Sequence, residues 1–391
     1  MNPNPALGVF YHWLGGLASG SFYVPYRGVK GWAWETFWLA GGFFSWIIAP
    51  WFLAGFLTKD LLAVLREAPA GSLFWACFFG LLWGVGGLTF GLTMRFLGLS
   101  LGMAMVLGLC AAFGTLMPPI FAGEFTRHVV GTISGRVILL GIFVCLLGIA
   151  VAGLAGISKE RKMSAAEKQA VIKEFDLKKG TGVAILSGIM SACFAYGLAA
   201  GDPIKALTLK HGTPVLWQGL PVLIVVLIGG FTTNFIWCLW LNIRNRTGHQ
   251  YFTSVATQSH DGTTTLETAV DAPSREVVEH APQAIAVVEQ TETIQRVPML
   301  RNYLLCALAG TTWYFQFFFY TMGETQMGQY KFSSWTLHMA SIIIFSSLWG
   351  IGLKEWKGSG TRAGSLLALA LLLLVGSTVI VGYGNYLGLS H

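Results

Sequence analysis

Ten stretches of this chain run for 22 or more residues without an Asp, Glu, Lys or Arg: 1–26, 36–58, 68–94, 96–123, 137–158, 180–201, 211–243, 302–323, 332–353 and 363–391. About 20 apolar residues at ~1.5 Å rise cross a hydrocarbon layer about 30 Å thick, so each stretch can hold one transmembrane helix. The expected fold is all-α, a polytopic membrane protein of ten spans. Composition agrees: 54% of residues are hydrophobic and 11% charged, against about 25% charged in soluble domains.

Other classes fall away on the same pattern. The first apolar stretch follows MNPNP, without a positive n-region or a small-residue cleavage pattern, and reads as a retained first helix. The six cysteines, Cys77, Cys110, Cys145, Cys193, Cys238 and Cys306, fall one per span with no CxxC or Cys/His cluster. Small apolar packing residues are expected there, not disulfides or a zinc site. The net charge of +7 comes from basic residues between spans rather than from one patch with aromatics, so nucleic acid is not an expected partner. No cofactor or protein partner is expected; the partners are the lipid bilayer and a small molecule.

The basic residues also orient the chain. The loops after spans 1, 3, 5, 7 and 9 carry eighteen Lys and Arg, and the other four loops carry seven. Basic loops stay in the cytoplasm, which puts both termini outside the cytoplasmic (inner) membrane. Five spans are an odd number, so two copies of a five-helix unit would insert upside down relative to each other, the inverted-repeat plan of many transporters. Gly16, Ser19 and Phe22 recur at the same spacing as Gly188, Ser191 and Phe194, and Gly80 and Trp83 recur as Gly310 and Trp313. The expected repeats are 1–158 and 180–391, joined by a basic cytoplasmic linker at 159–179 in which Ser164 and Glu167 resemble a capping box. The segment 247–297 holds seven acidic residues but only Arg275 and Arg296 as basic ones; with little to bury, it is expected to be disordered in the cytoplasm.

Membrane helices associate through small residues. Gly80, Gly84, Gly87 and Gly91 make one stripe on span 3, and Ala104, Gly108 and Ala112 another on span 4; they suit static packing and helix sliding equally. Ionisable groups at depth face a cavity or a partner. His12 in span 1 and His338 in span 9 are candidate proton carriers, since imidazole titrates near neutral pH, although each could be a hydrogen-bonded packing residue. Glu35 heads span 2 as a third coupling candidate, or as an interfacial carboxylate paired with Lys30 or Arg27; Arg95, Asp202, Glu324, Lys331 and Glu355 also sit at span ends. On span 8, Trp313, Gln316 and Tyr320 follow i, i+3, i+7 and share a face. Aromatic rings beside an amide suit a sugar, whose C–H face packs on the rings while Gln bonds its hydroxyls; an ordinary aromatic packing helix is the alternative. Trp83 and Trp335 are further candidates, set against the habit of Trp to sit in interfacial belts.

The chain resembles the L-rhamnose/proton symporters of the drug/metabolite transporter superfamily in KGWAWET at 30–36, GLTMRFLG at 91–98, GTLMPPI at 114–120, FDLKKG at 175–180, WYFQFFFY at 313–320, SSWTLHM at 333–339 and LKEW at 353–356. The strings run along almost the whole chain. The resemblance implies two inverted five-helix halves, a central cavity, and uptake of a sugar with a proton as coupling ion. His12, Glu35, Arg95, Trp313, Gln316, Tyr320 and His338 match family positions. Where the family pattern has Asn in span 3 and near the end of span 6, this chain has Gly87 and Ala199. Lost amides shift a site built on hydrogen bonds, which widens the expected substrate to L-rhamnose or a related deoxy-sugar. The segment 247–297 is also longer than the family's loop there.

Two readings from different classes follow. A secondary transporter would lose accumulation when the proton gradient is dissipated; a non-transporting sugar sensor with 247–297 as its output would bind without flux, and transport of another small polar metabolite is a further alternative. An enzyme is not expected, because the spans hold no carboxylate pair, metal cluster or activated nucleophile. The chain also carries no GxxxxGK[ST] loop of an ATP-driven pump.

Overall fold

The computed structural model describes residues 3–162, 176–257 and 294–389. Its long helices are α1 Pro5–Ser21, α2 Trp34–Leu57, α3 Ala70–Leu97, α4 Leu99–Phe121, α5 Ile133–Glu160, α6 Leu177–Ala200, α7 Leu220–Arg244, α8 Met299–Glu324, α9 Ser334–Gly352 and α10 Thr361–Leu387. Local chemistry starts several of them. The Asn4 side chain accepts from the Leu7 N–H ahead of Pro5, the Thr132 hydroxyl accepts from Gly135 N–H, and the Asp176 carboxylate accepts from Lys179 N–H, each satisfying a donor that the first helical turn leaves free. That backbone bond holds the Asp176 carboxyl below the ordinary carboxylate range.

Eight helical stretches among the described residues are long and apolar enough to cross a membrane. The other two long helices are α1, at 17 residues, and α8. They are the ones that carry His12 and, on α8, Arg301, Asn302, Gln316 and Glu324, so shortness in one case and polarity in the other takes them below the usual measure of a span. Large apolar side chains such as Phe56, Phe143 and Leu372 stay exposed on the outside of the bundle, as lipid-facing residues do.

Several boundaries differ from the sequence reading. The break between spans 3 and 4 falls at Gly98, not at Arg95. Gly98 has φ 79°, a left-handed conformation that glycine adopts without strain, whereas a charge at Arg95 does not by itself end a helix. α2 is not uniform: it slips to a π-helical turn over Phe43–Ile48. Two three-residue strands, β1 Val255–Thr257 and β2 Ile294–Arg296, pair antiparallel at the margins of the acidic segment. The rest of that segment, 258–293, and the Ser164/Glu167 pair lie outside the described residues.

The helices pack in matched pairs. α1 lies against α8 and α9, and α6 lies against α3 and α4; α2 packs on α8 and α7 on α3; α5 and α10 lie side by side. Glycine permits the closest approaches. A Cβ at Gly80 would collide with the Val226 carbonyl of α7, and one at Gly310 with the Gly41 carbonyl of α2; Gly16 meets Ser341, and Gly188 meets Leu109. The glycine stripe of α3 divides: Gly80 and Gly84 face α7, Gly87 has open space around it, and Gly86, off the stripe, packs on Ser191 of α6. α3 is wedged between α6 and α7, so one glycine face cannot serve both neighbours.

The connections gather at two ends. Lys331, between α8 and α9, bonds Asp202, between α6 and α7; His211 meets Asp60 and Glu67, between α2 and α3; Asn4 N–H donates to Gln326 and Thr132 bonds Tyr330. At the opposite end Arg27 approaches Glu355, Glu35 accepts from Thr247, and the Phe96 carbonyl accepts from Asp176 N–H. Both described chain ends therefore sit at the first end, since Gly388 accepts from Gln329 there.

Candidate functional site

α1, α8 and α9 converge on Tyr320. Its ring lies with its centroid 5.3 Å from that of His12 and 5.3 Å from that of His338, both edge-on, and 5.7 Å from Trp335. Spacing explains the meeting: His12 and Gly15 lie one turn apart on α1, and Gly15 has no side chain to keep the Gln316 backbone carbonyl of α8 and the His338 ring of α9 apart. His12 in turn lies over Gly323, where a Cβ would stand 2.8 Å from the imidazole.

The cluster is buried and under-bonded. His12 is fully buried, His338 1% exposed and Gln316 3%. Both ring nitrogens of His12, Nδ1 of His338, Nε2 of Gln316 and Nε1 of Trp313 find no hydrogen-bond partner among the described residues. A buried polar atom without a partner costs about 1–3 kcal/mol, and more in hydrocarbon. Five such atoms in one neighbourhood of aromatic rings single this region out among the described residues.

Phe194 of α6 extends the cluster. It stacks on Phe317 at 4.5 Å and on Trp335 at 5.8 Å, and Trp83 of α3 meets Phe194 at 5.0 Å and Phe317 at 5.4 Å. Four helices, α3, α6, α8 and α9, thus share one aromatic seam. Trp335 is anchored within it, its indole N–H donating to the Cys110 carbonyl at 3.0 Å. Thr115 and Thr336 bond each other at 2.8 Å beside it.

The remaining sequence candidates stand elsewhere. Glu35 is buried at the start of α2, where Oε1 accepts from Asn245 Nδ2 at 3.0 Å and from the Thr247 hydroxyl at 2.8 Å. Neither Lys30 nor Arg27 is its partner: Lys30 is clasped through its backbone by Asn302, and Arg27 approaches Glu355 at 4.0 Å. Arg95 stands in the last turn of α3, and its side chain lies outside what the structure describes. Among the described residues no group of three His, Cys, Asp or Glu could hold a metal ion, and the six cysteines are unpaired.

Sequence reasoning missed two features. Lys205 is buried and donates to Glu324 at 2.8 Å, with Asp202 at 3.1 Å, and Lys331 bonds Asp202 at 2.6 Å; the i, i+3 spacing of Asp202 and Lys205 was the available signal. The second is a small cavity of about 10 Å³ between α2 and α8, room for about one water molecule.

Eight helical stretches of membrane-crossing length among the described residues define an integral membrane protein, and a cluster of buried polar and aromatic side chains lies inside its helical bundle. The chain matches the model of the L-rhamnose-proton symport protein (RhaT) family over residues 1–253 and 283–386. The L-rhamnose-proton symporters of Cronobacter sakazakii, Salmonella gallinarum and Salmonella paratyphi B are each 33% identical to it over 379 residues, covering 97% of this chain and 97% of the relative. The chain belongs to this family, one of symporters rather than enzymes. The interruption in the match, 254–282, falls in the segment that the sequence sets apart as longer than the family's loop.

Proposed function

We propose that the protein carries L-rhamnose or a related deoxy-sugar, together with a proton, across the cytoplasmic (inner) membrane by alternating access. The observation that carries this reading is the buried cluster of His12, Gln316, Tyr320 and His338, whose polar atoms lack partners among the described residues in a member of a sugar-proton symport family. Gln316 exchanges hydrogen bonds with sugar hydroxyls. Trp313, Tyr320, Trp83 and the ring of Trp335 pack on the apolar ring face. His338 and His12, on either side of Tyr320, take the proton. Glu35 works at a distance: a proton on it weakens its acceptor bonds to Asn245 and Thr247 and loosens the start of α2.

The scaffold in this reading is ten spans in two inverted repeats, 1–158 and 180–391, joined through 159–179, with both termini outside. The pairing of helices supports it. Exchanging α1 with α6, α2 with α7, α3 with α8, α4 with α9 and α5 with α10 maps the largest helix contacts onto one another: α1 on α8 becomes α6 on α3, α1 on α9 becomes α6 on α4, and α2 on α8 becomes α7 on α3. The bonds follow the same exchange: Ser72 at the start of α3 bonds the carbonyl of Ala200 at the end of α6, and Asn302 at the start of α8 bonds the carbonyl of Lys30 beyond α1. Gly80, Gly84, Gly87 and Gly91 give α3 a surface on which the halves shift, and Arg95 marks its basic, cytoplasmic end.

The test is uptake of labelled L-rhamnose, with a panel of competing sugars, into proteoliposomes carrying an inward proton gradient. The reading predicts accumulation that a protonophore abolishes. Absence of flux for every sugar, in correctly inserted protein, would overturn it in favour of a sensor or another metabolite.

A further inference from the structure

Lys205 and Glu324 sit at the end of the bundle that holds both described chain ends, and they tie two groups of helices together. Lys205 belongs to the short helix Asp202–Lys210 between α6 and α7, both of which pack on α3; Glu324 closes α8, which packs on α1 and α2. The charges there run from wet to dry. The Lys331 and Asp202 side chains are 50% and 42% exposed, those of Glu324 and Lys205 14% and 8%. Lys205 donates its hydrogen bond to Glu324 Oε2 at 2.8 Å. On its other side, Asp202 bonds Lys331 through Oδ2 at 2.6 Å, while Asp202 Oδ1, buried and 3.1 Å from Lys205 Nζ, receives no aligned hydrogen bond from a described residue. The ammonium thus has a second carboxylate oxygen within reach. Inward, Gly323 lies against α1: a Cβ there would stand 2.8 Å from Nε2 of His12, and both His12 nitrogens lack partners among the described residues. The titratable and charged groups around Glu324 are therefore Lys205, Asp202 and Lys331 from the two connections and His12 from α1, with Tyr320 one turn back on α8 and His338 of α9 beyond it.

We propose that Glu324 is the site at which the coupling proton enters, and that loading it opens this end of the bundle. The inference rests on the proton-coupled transport reading and adds a residue to it. A proton from the water outside neutralises the Glu324 carboxylate. The bond from Lys205 then loses its charge assistance, and Lys205 turns to Asp202 Oδ1, so the cation keeps a counter-ion throughout. α8 is released from the Asp202–Lys210 helix, and sugar passes between the two groups of helices toward Gln316 and Tyr320. Transfer of the proton from Glu324 to an imidazole nitrogen of His12 restores the carboxylate, leaves an imidazolium on α1, and draws Lys205 back. The end closes because the proton has moved inward, which makes closure and coupling one event.

The test is the pH dependence of sugar affinity at the face that holds the two described chain ends, read as counterflow of labelled L-rhamnose by the full chain in proteoliposomes. The wild type is expected to lower its KM about tenfold as pH at that face falls from about 8 to about 6, since only the protonated form admits sugar. Glu324→Gln, neutral at every pH, holds the KM within about twofold of the wild type's acid value across that range. Lys205→Met/Glu324→Gln removes both charges, gives the same flat profile, and covers the case in which Lys205 without its partner impairs insertion. A wild-type slope in these variants overturns the proposal and leaves loading to the histidines directly. A flat profile at the wild type's alkaline value overturns it as well, because neutralising Glu324 would then not open the end. Wild-type flux that ignores pH altogether would overturn the proton-coupled reading itself, and this inference with it.

Discussion

The two ends of the bundle are closed by different chemistry. At the end that holds both described chain ends, charges do the closing: Lys205 with Glu324 and Asp202, Lys331 with Asp202, and His211 between Asp60 and Glu67. At the opposite end neutral donors and acceptors dominate. Asn302 clasps the Lys30 backbone through both its amide atoms, Gln250 Oε1 accepts from Ala33 N–H and the Thr36 hydroxyl, and Glu35 accepts from an amide and a hydroxyl. The ion pairs described there, Arg27 with Glu355 at 4.0 Å and Lys179 with Asp176 at 3.5 Å, are substantially exposed, a geometry that contributes little. Charges regain hydration when they separate into water, whereas a clasped backbone does not regain as much. The charged end is thus the one that water, salt and protons can loosen, and Glu324 places it one turn beyond Tyr320.

The largest break in this comparison comes from Lys205→Met, which takes the cation from the mostly buried Glu324 while Asp202 keeps Lys331. A loss of about 3–5 kcal/mol is expected, read as a lower unfolding midpoint in detergent, with much of it restored in the Lys205→Met/Glu324→Gln double variant. Equal stability of wild type and single variant would show that the pair holds nothing. Asn302→Ala tests the other end, where two bonds are lost and about 2 kcal/mol with them. Raising salt should leave that loss unchanged, and a strong salt dependence would erase the contrast.

Between the ends, Gln316→Ala is expected to raise the KM for sugar about tenfold, and a KM equal to wild type would return α8 to plain packing. His338→Ala should keep sugar counterflow while losing pH-driven accumulation; accumulation that still follows the gradient would remove His338 from the coupling. The smallest effect belongs to His211, partly buried between two carboxylates. Its pKa is raised, first by the hydrogen bond to Glu67 and then by Asp60, with partial desolvation opposing. A raised value means that its contribution is full below the unfolded value near 6.5 and fades as pH rises through the folded one. His211→Ala should therefore lower the unfolding midpoint slightly at about pH 6 and have no effect by about pH 8.5; a larger effect at the higher pH would contradict the assigned bonds.

Much of this was legible in the chain because charge-free length and helix length are the same quantity in a bilayer. The eight helical stretches long and apolar enough to cross a membrane fall on charge-free stretches, and α8 carries Tyr320 to the two histidines. Other features depend on partners distant in sequence. Nothing at Trp335 announces that Cys110 takes its N–H, and nothing at Glu35 announces Asn245 and Thr247. The π turn at Phe43–Ile48 is a slip of backbone bonding that an apolar run does not encode. Gly98, not Arg95, ends α3, because conformation rather than charge reverses the chain. Lys205 sat in the short polar link after span 6, and only the fold brings Glu324 to it.

The most direct test of alternation between two unlike ends is a pair of spin-label distances in the full chain in nanodiscs, one from Lys210→Cys to Gln329→Cys at the charged end and one from Lys30→Cys to Leu300→Cys at the clasped end. The account predicts that acidification with L-rhamnose lengthens the first distance while the second stays short. Both distances lengthening together, or the clasped end opening alone under those conditions, would contradict it.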